Sequence, residues 1–152
     1  MISSVLVVCH ANVCRSPMAE ALLRRRLPGI AVSSAGMRAM VGAAADSQAC
    51  SVARERALDL SAHRARDLTA LQCTQADLIL VMENVHRRGI EARYKFAHGR
   101  VFCISALERV PFDIEDPYGG PSDGFVRCFE TLERCVAAWG ERIGLLNGRA
   151  NS

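Results

Sequence analysis

The chain has 152 residues, half of them hydrophobic and 23% charged, with a formal net charge of +3. That length suits a single domain over residues 1–152 with one buried core, and so ordinary a composition excludes a disordered chain. No run approaches the ~18 apolar residues of a membrane span, and a mild positive charge carried by dispersed arginines favours an anionic substrate over nucleic acid.

Met1-Ile2-Ser3-Ser4-Val5 leads directly into an apolar, β-branched run, and Ile2 to Val8 reads as a strand buried on both faces. Ser16-Pro17 predicts the start of a helix, with serine as N-cap, an apolar stripe through Met18, Ala21 and Leu22, a basic last turn at Arg24-Arg25-Arg26, and a stop at Pro28-Gly29. Ile30 to Ser33 is a second short strand, followed by the small residues Ser34-Ala35-Gly36 and an Ala-rich helix across about 46 to 58. Leu78 to Met82 and Val101 to Ile104 are further strands, separated by a helix through Asn84 to Ala97. The last helix is the clearest, because Phe125, Cys128, Leu132, Cys135, Trp139, Ile143 and Leu146 recur at steps of three and four and mark a core face.

Strands alternating with helices predict an α/β fold, a four-stranded parallel sheet flanked by helices on both faces. Ligands of such sheets bind beyond the carboxyl ends of the strands, where the strand order reverses, and the segment after the first strand lies there. The one long irregular stretch, from about 107 to 124, is rich in Pro and Gly, and long loops in compact domains are often functional.

The N-terminus has neither a basic region nor a small-residue cleavage site, so the expectation is a cytoplasmic protein, read here as a monomer. Seven cysteines is an odd number without a disulfide rhythm. No Cys-x-x-Cys occurs, and His10, His63, His86 and His98 form no ligand-spaced cluster with the cysteines. Free thiols are therefore expected, with no metal site.

Cys9-His10-Ala11-Asn12-Val13-Cys14-Arg15-Ser16 carries the chemistry. A phosphoryl group wants convergent backbone N–H donors, a helix N-terminus and a planar guanidinium, and these eight positions supply all three. A positive field that binds an anion also favours thiolate over thiol, and only the thiolate is a useful nucleophile. Spacing alone proves little, since Cys50/Arg56, Cys103/Arg109 and Cys128/Arg134 share it. Cys50 and Cys128 fall in helical patterns, where six residues put two side chains on different faces, and the segment after Cys103 lacks a turn residue and a Ser-Pro start. Only Cys9 has strand, loop and helix in order; the alternative for it is a buried, inert cysteine. A leaving aryl oxide also needs a proton, best supplied from a mobile loop. Asp113, Glu115 and Asp116 all sit in the 107 to 124 stretch, and Asp116 is favoured among them because Pro117 holds its backbone and Tyr118 can wall a cleft beside an aromatic substrate.

Over Val8 to Ala21, together with Asp116-Pro117-Tyr118, the chain resembles the low-molecular-weight protein tyrosine phosphatases, and the likeness runs from about residue 3 to 145. The resemblance implies that Cys9 attacks phosphotyrosine to form a cysteinyl phosphate, that Arg15 holds the equatorial oxygens, and that Asp116 protonates the leaving oxygen and then activates water. It implies no metal or organic cofactor. The loop residues His10, Ala11, Asn12, Val13, Cys14 and Ser16 would contact the phosphate, with Ser16 stabilising the thiolate and Met40 and Tyr118 along the cleft. Ser34 and His63, which alone read as a turn residue and a surface or core histidine, would brace the loop through Asn12. Cys14 matches a second family cysteine able to form a reversible disulfide with the nucleophile; otherwise it is a small apolar filler.

Two positions depart from the family pattern. Ala11 stands where glycine is usual, and if that position needs positive φ, alanine strains the loop by ~1 kcal/mol or more. Met40 stands where animal relatives carry an aromatic residue. Ser34 to Gly42 is more similar to bacterial members tied to exopolysaccharide and capsule synthesis, which implies phosphotyrosine proteins, including a bacterial tyrosine autokinase, as partners. Two rival readings are a thioredoxin-coupled arsenate reductase, which needs further cysteines that Met82 to Ala97 lacks, and a non-catalytic phosphate-binding module, which has no need of Cys9 and Asp116.

Overall fold

A computed structural model describes residues 1–150 and places four parallel strands in one sheet of order β2-β1-β3-β4. In chain order the elements are β1 (Ser4–Cys9), α1 (Arg15–Arg26), β2 (Ala31–Gly36), α2 (Ser47–Glu55), α3 (Ala70–Gln75), β3 (Leu78–Val81), α4 (Asn84–Arg93), β4 (Val101–Cys103) and α5 (Ser122–Ala150), with short 3-10 turns at Lys95–Ala97 and Ile104–Leu107.

Side chains of a strand alternate between its two faces, and both faces of this sheet are apolar. Val5, Val7, Leu78, Leu80 and Met82 join a core with Met18, Leu22 and Leu23 of α1 and Phe125, Phe129, Leu132 and Ile143 of α5. Leu6, Val8, Ile79 and Val81 enter a second, smaller core with Cys73 of α3 and Ile90 of α4. Cys9 falls on the α1 and α5 side. The chain leaves β1 for β2 on one edge and returns to β3 on the other, so the strand order reverses at the carboxyl end of β1.

Several boundaries differ from the sequence expectation for identifiable reasons. β1 begins at Ser4, because Ile2 is held instead by Asn147 of α5, whose side chain bonds both its N–H and its carbonyl. Ser16 is not an N-cap: α1 starts at Arg15 with Cys14 as the cap residue, and the Ser16 hydroxyl is taken by Cys9 and Asn12. Pro17 still fits, because the first turn of a helix leaves its N–H groups unpaired anyway. The helix expected over Asn84 to Ala97 stops at Arg93, and a separate 3-10 turn follows Tyr94. Leu146 is 42% exposed, so the core face of α5 ends at Ile143. Helix α3 is an element that the apolar pattern does not predict, although Thr69-Ala70-Leu71-Gln72 is a capping box in which Thr69 and Gln72 each bond the other's backbone. Trp139 donates to the Ile104 carbonyl at 2.8 Å and so fastens α5 to the turn after β4. No helix among the described residues is long and apolar enough to cross a membrane.

Candidate active site

The loop between β1 and α1 is organised by where its carbonyls go. Cys9 O accepts from Met37 N at 2.9 Å, His10 O from Arg38 N at 2.9 Å, Ala11 O from Met40 N at 3.1 Å, Val13 O from Asp46 N at 2.8 Å and Cys14 O from Met18 N at 3.3 Å. His63 Nε2 lies 2.7 Å from Asn12 O. Every carbonyl from Cys9 to Cys14 is therefore bonded outward. The backbone N–H groups of residues 10–14 have no acceptor among the described residues. Buried N–H groups without partners are rare, and a run of them beside a helix N-terminus forms an anion-binding nest.

Asn12 makes this backbone path possible. It is fully buried and sits at φ 60°, the left-handed region. Its amide donates to Ser16 Oγ at 2.7 Å and Ser34 Oγ at 3.0 Å, and its carbonyl oxygen accepts from Arg66 N at 3.0 Å. Asparagine bears this conformation better than most residues. Ala11 does not have positive φ, so the strain considered for alanine there does not arise. Gly36 closes the same corner, because a Cβ on it would lie 2.7 Å from His10 O.

The side chains converge on a cavity of about 240 Å³ lined by Cys9, Ala11, Val13, Cys14, Arg15 and Asp116, with His10, Arg38, Met40 and Tyr118 at its mouth. Cys9 Sγ is 2.9 Å from Ser16 Oγ, with Cys9 only 2% exposed. Burial pushes the Cys14 thiol far up, helped by Asp46 and Asp116, and lifts Cys128 to about 12 against the opposing pull of Arg15. Both remain thiols at neutral pH.

Arg15 is buried, and its Nη1 donates to Glu83 Oε2 at 2.8 Å and to the Ile114 carbonyl at 2.7 Å. Both hydrogen bonds leave from Nη1, so Nε and Nη2 keep their donors for an anion, with Asp116 Oδ2 3.5 Å from Nη2. The loop that carries Asp116 is fixed to the sheet, since Ile114 N bonds Met82 O at 2.9 Å, and Pro117 is buried. Asp116 Oδ1 accepts from Tyr118 N at 3.1 Å, which orients the carboxylate. The other two acids considered for this loop lie elsewhere: Asp113 takes the Asn84 N–H at the start of α4, and Glu115 is exposed outside the cavity.

Residues 4–145 match the family described as low molecular weight phosphotyrosine protein phosphatase. The chain belongs to this family. It is 44% identical over 146 residues to a protein of Ralstonia nicotianae named probable low molecular weight protein-tyrosine-phosphatase EpsP, covering 96% of this chain and 99% of that protein. Among solved structures it resembles the tyrosine phosphatase Wzb of Escherichia coli K30 in complex with sulphate, at a TM-score of 0.90 and 36% identity over 94% of this chain and 99% of Wzb. It also resembles the YwlE arginine phosphatase of Geobacillus stearothermophilus, at a TM-score of 0.91 and 32% identity over 96% of each chain.

Sequence reasoning missed three parts of this phosphatase's site. Glu83 and His86 flank the start of α4, where His86 Nδ1 accepts from Glu83 N at 3.2 Å and His86 Nε2 faces Glu83 Oε2 at 3.3 Å. The signal available was an acid and a histidine three apart at the carboxyl end of a predicted strand, where sites of this fold class gather. Arg66 was also missed; its Nε bonds Ser34 O at 3.0 Å, and its backbone bonds Asn12 and Gly36. A larger groove of about 820 Å³ is lined by Ser34, His63 and Arg66 among others, but no cysteine lines it.

Proposed function

We propose that the chain hydrolyses phosphotyrosine in proteins through a cysteinyl-phosphate intermediate. The observation that carries this reading is the Cys9 loop, whose six outward-bonded carbonyls leave N–H groups 10–14 free around a buried thiol. The phosphate sits in that nest, between the N-terminus of α1 and the Nε and Nη2 edge of Arg15. The Cys9 thiolate attacks phosphorus, the S–P bond forms as the P–O bond to tyrosine breaks, and Asp116 gives its proton to the departing phenolate. Asp116 then takes a proton from water, whose oxygen attacks phosphorus and releases phosphate and the Cys9 thiolate. Ser16 stabilises the thiolate from 2.9 Å, and Ser34 and His63 brace the loop through Asn12. Cys14 is the resolving thiol if Cys9 is oxidised.

The cleft walls favour an aryl phosphate. Ala11, Val13, Met40 and Tyr118 offer apolar and aromatic surface, whereas a phosphoarginine would bring a guanidinium whose donors need acceptors, and Asp116 is the one carboxylate in the lining. The same reading extends to a phosphotyrosine protein of bacterial exopolysaccharide synthesis as substrate, a tyrosine autokinase among the candidates, met in the cytoplasm by a monomeric enzyme; the likeness of Ser34 to Gly42 to bacterial members of the family and the 44% identity to the protein-tyrosine-phosphatase EpsP support the phosphotyrosine part of it.

The test is turnover of para-nitrophenyl phosphate, a phosphotyrosine peptide and the matching phosphoarginine peptide. The first two are hydrolysed and the third poorly; Cys9→Ser abolishes turnover, and Asp116→Ala lowers it ~100-fold while substrate still binds, a loss of general-acid size. Faster release of phosphate from phosphoarginine would overturn the substrate class.

A further inference from the structure

Arg38 stands at the mouth of the cleft with nothing of its own to hold. The segment after β2 is laced to the phosphate loop by Met37 N to Cys9 O, Arg38 N to His10 O and Met40 N to Ala11 O, at 2.9, 2.9 and 3.1 Å. Asp67 steadies the far side by accepting from Ala39 N at 2.8 Å. The Arg38 backbone is thus positioned as firmly as the loop itself, and its side chain lines the cavity entrance while remaining exposed. Among the described residues its guanidinium makes no ion pair, hydrogen bond or ring contact, and the adjacent Asp67 carboxylate forms no ion pair with it.

Most other arginines near the loop are occupied. Arg15 holds Glu83 and Ile114, and Arg66 holds Ser34. A guanidinium is charged at any assay pH and matches a carboxylate or phosphate in two-point geometry. A cation fixed beside the cleft, yet left out of the protein's own ion pairs, is suited to an anion that arrives with the substrate.

We propose that Arg38 forms a rim subsite that reads a second anionic side chain flanking the phosphotyrosine, so that the preferred substrates are acidic or multiply phosphorylated tyrosine segments. This rests on the phosphotyrosine reading above and deepens it. The ligand chemistry is an anion within a residue or two of the scissile group, supplied either by Glu or Asp or by a neighbouring phosphotyrosine.

The test uses three peptides alike except at the positions flanking one phosphotyrosine, which carry Gln, Glu or a second phosphotyrosine. Binding is measured to Cys9→Ser and to the Cys9→Ser, Arg38→Ala and Cys9→Ser, Arg38→Glu double variants. With Arg38 present, the Glu peptide binds roughly two- to five-fold tighter than the Gln peptide, the size of an exposed ion pair, and added salt erodes the difference. The doubly phosphorylated peptide gains at least as much. Arg38→Ala brings the peptides level and Arg38→Glu reverses their order. A gain confined to the Glu peptide assigns the subsite to carboxylates, and one confined to the second phosphate assigns it to phosphotyrosine clusters. Equal binding with Arg38 present, or a preference that survives Arg38→Ala, overturns the proposal. Para-nitrophenyl phosphate turnover by the unaltered protein reads the parent function separately, because that substrate has no flanking residue.

Discussion

Asn12 is the residue on which the site's geometry rests most heavily, and two substitutions there separate its two contributions. Asn12→Ala removes two buried hydrogen bonds, to Ser16 and Ser34, and a partly buried one from Arg66, a loss of about 3 kcal/mol at ~1 kcal/mol each. It also leaves a Cβ-bearing residue without a polar side chain at φ 60°, where the left-handed conformation costs roughly 1–2 kcal/mol. Asn12→Gly loses the same bonds but not the steric term, against roughly 0.5–1 kcal/mol of extra chain entropy. Asn12→Gly should thus be the more stable variant by about 0.5–1 kcal/mol, the reverse of the usual ranking of glycine and alanine. For a chain of this size each kcal/mol moves Tm by about 2–4 °C, so the total of about 4–5 kcal/mol should place Asn12→Ala roughly 8–20 °C below the parent in thermal unfolding, with Asn12→Gly about 1–4 °C above Asn12→Ala. Both lose aryl-phosphate turnover by about 10²-fold, because Ser16 is released from its alignment on Cys9 and the loop shifts. Asn12→Gly melting below Asn12→Ala, or either variant retaining full turnover, would mean that Asn12 does not set the loop in this way.

Glu83→Ala strips the partner that holds Arg15 Nη1 at 2.8 Å; stability should fall by about 2 kcal/mol, the worth of a charge-assisted bond, and KM for aryl phosphates should rise, with Glu83→Gln recovering much of both. Unchanged KM and Tm would contradict that role. Ala57 occupies φ 62° just past α2, where Leu58 N bonds Ala53 O and Ala57 N bonds Arg54 O in a Schellman motif. Ala57→Gly should raise Tm by about 1–4 °C in thermal unfolding, since the relieved strain exceeds the added entropy by about 0.5–1 kcal/mol. Burial, and then Arg15, hold the His86 pKa below its ordinary 6.5. The unfolded chain therefore takes up this proton at higher pH than the folded one, and stability falls as pH drops from about 6.5 through the lowered folded value. Urea titrations over that range should show a shallower acid limb in His86→Gln, and parallel curves would remove His86 as its source.

The phosphate loop was legible in the sequence because its parts are contiguous: a β-branched strand, a turn-permitting asparagine and a proline in the first helical turn all point to the same geometry. The sheet was legible for the same reason, its strands being short apolar runs with punctuation between them. What the residues alone could not show were contacts set by strand order. Glu83 meets Arg15 across 68 positions only because β3 lies beside β1, and Ser34 and His63 reach Asn12 from separate segments, so both were named through resemblance. Only the N-cap reading of Ser16 failed: a serine before a proline looks like a cap, whereas this hydroxyl is committed to Cys9 and Asn12. Ala11 was weighed as the strained position because family glycine suggests positive φ, yet that conformation falls on the next residue.

If phosphate passes through Cys9, rapid acid quench during turnover of a labelled aryl phosphate, followed by peptide mapping, finds label on the Cys9 peptide. That label accumulates further in Asp116→Ala when a good leaving group is used, and none forms in Cys9→Ser. Label on any other residue, or undiminished hydrolysis by Cys9→Ser, would contradict a route through Cys9.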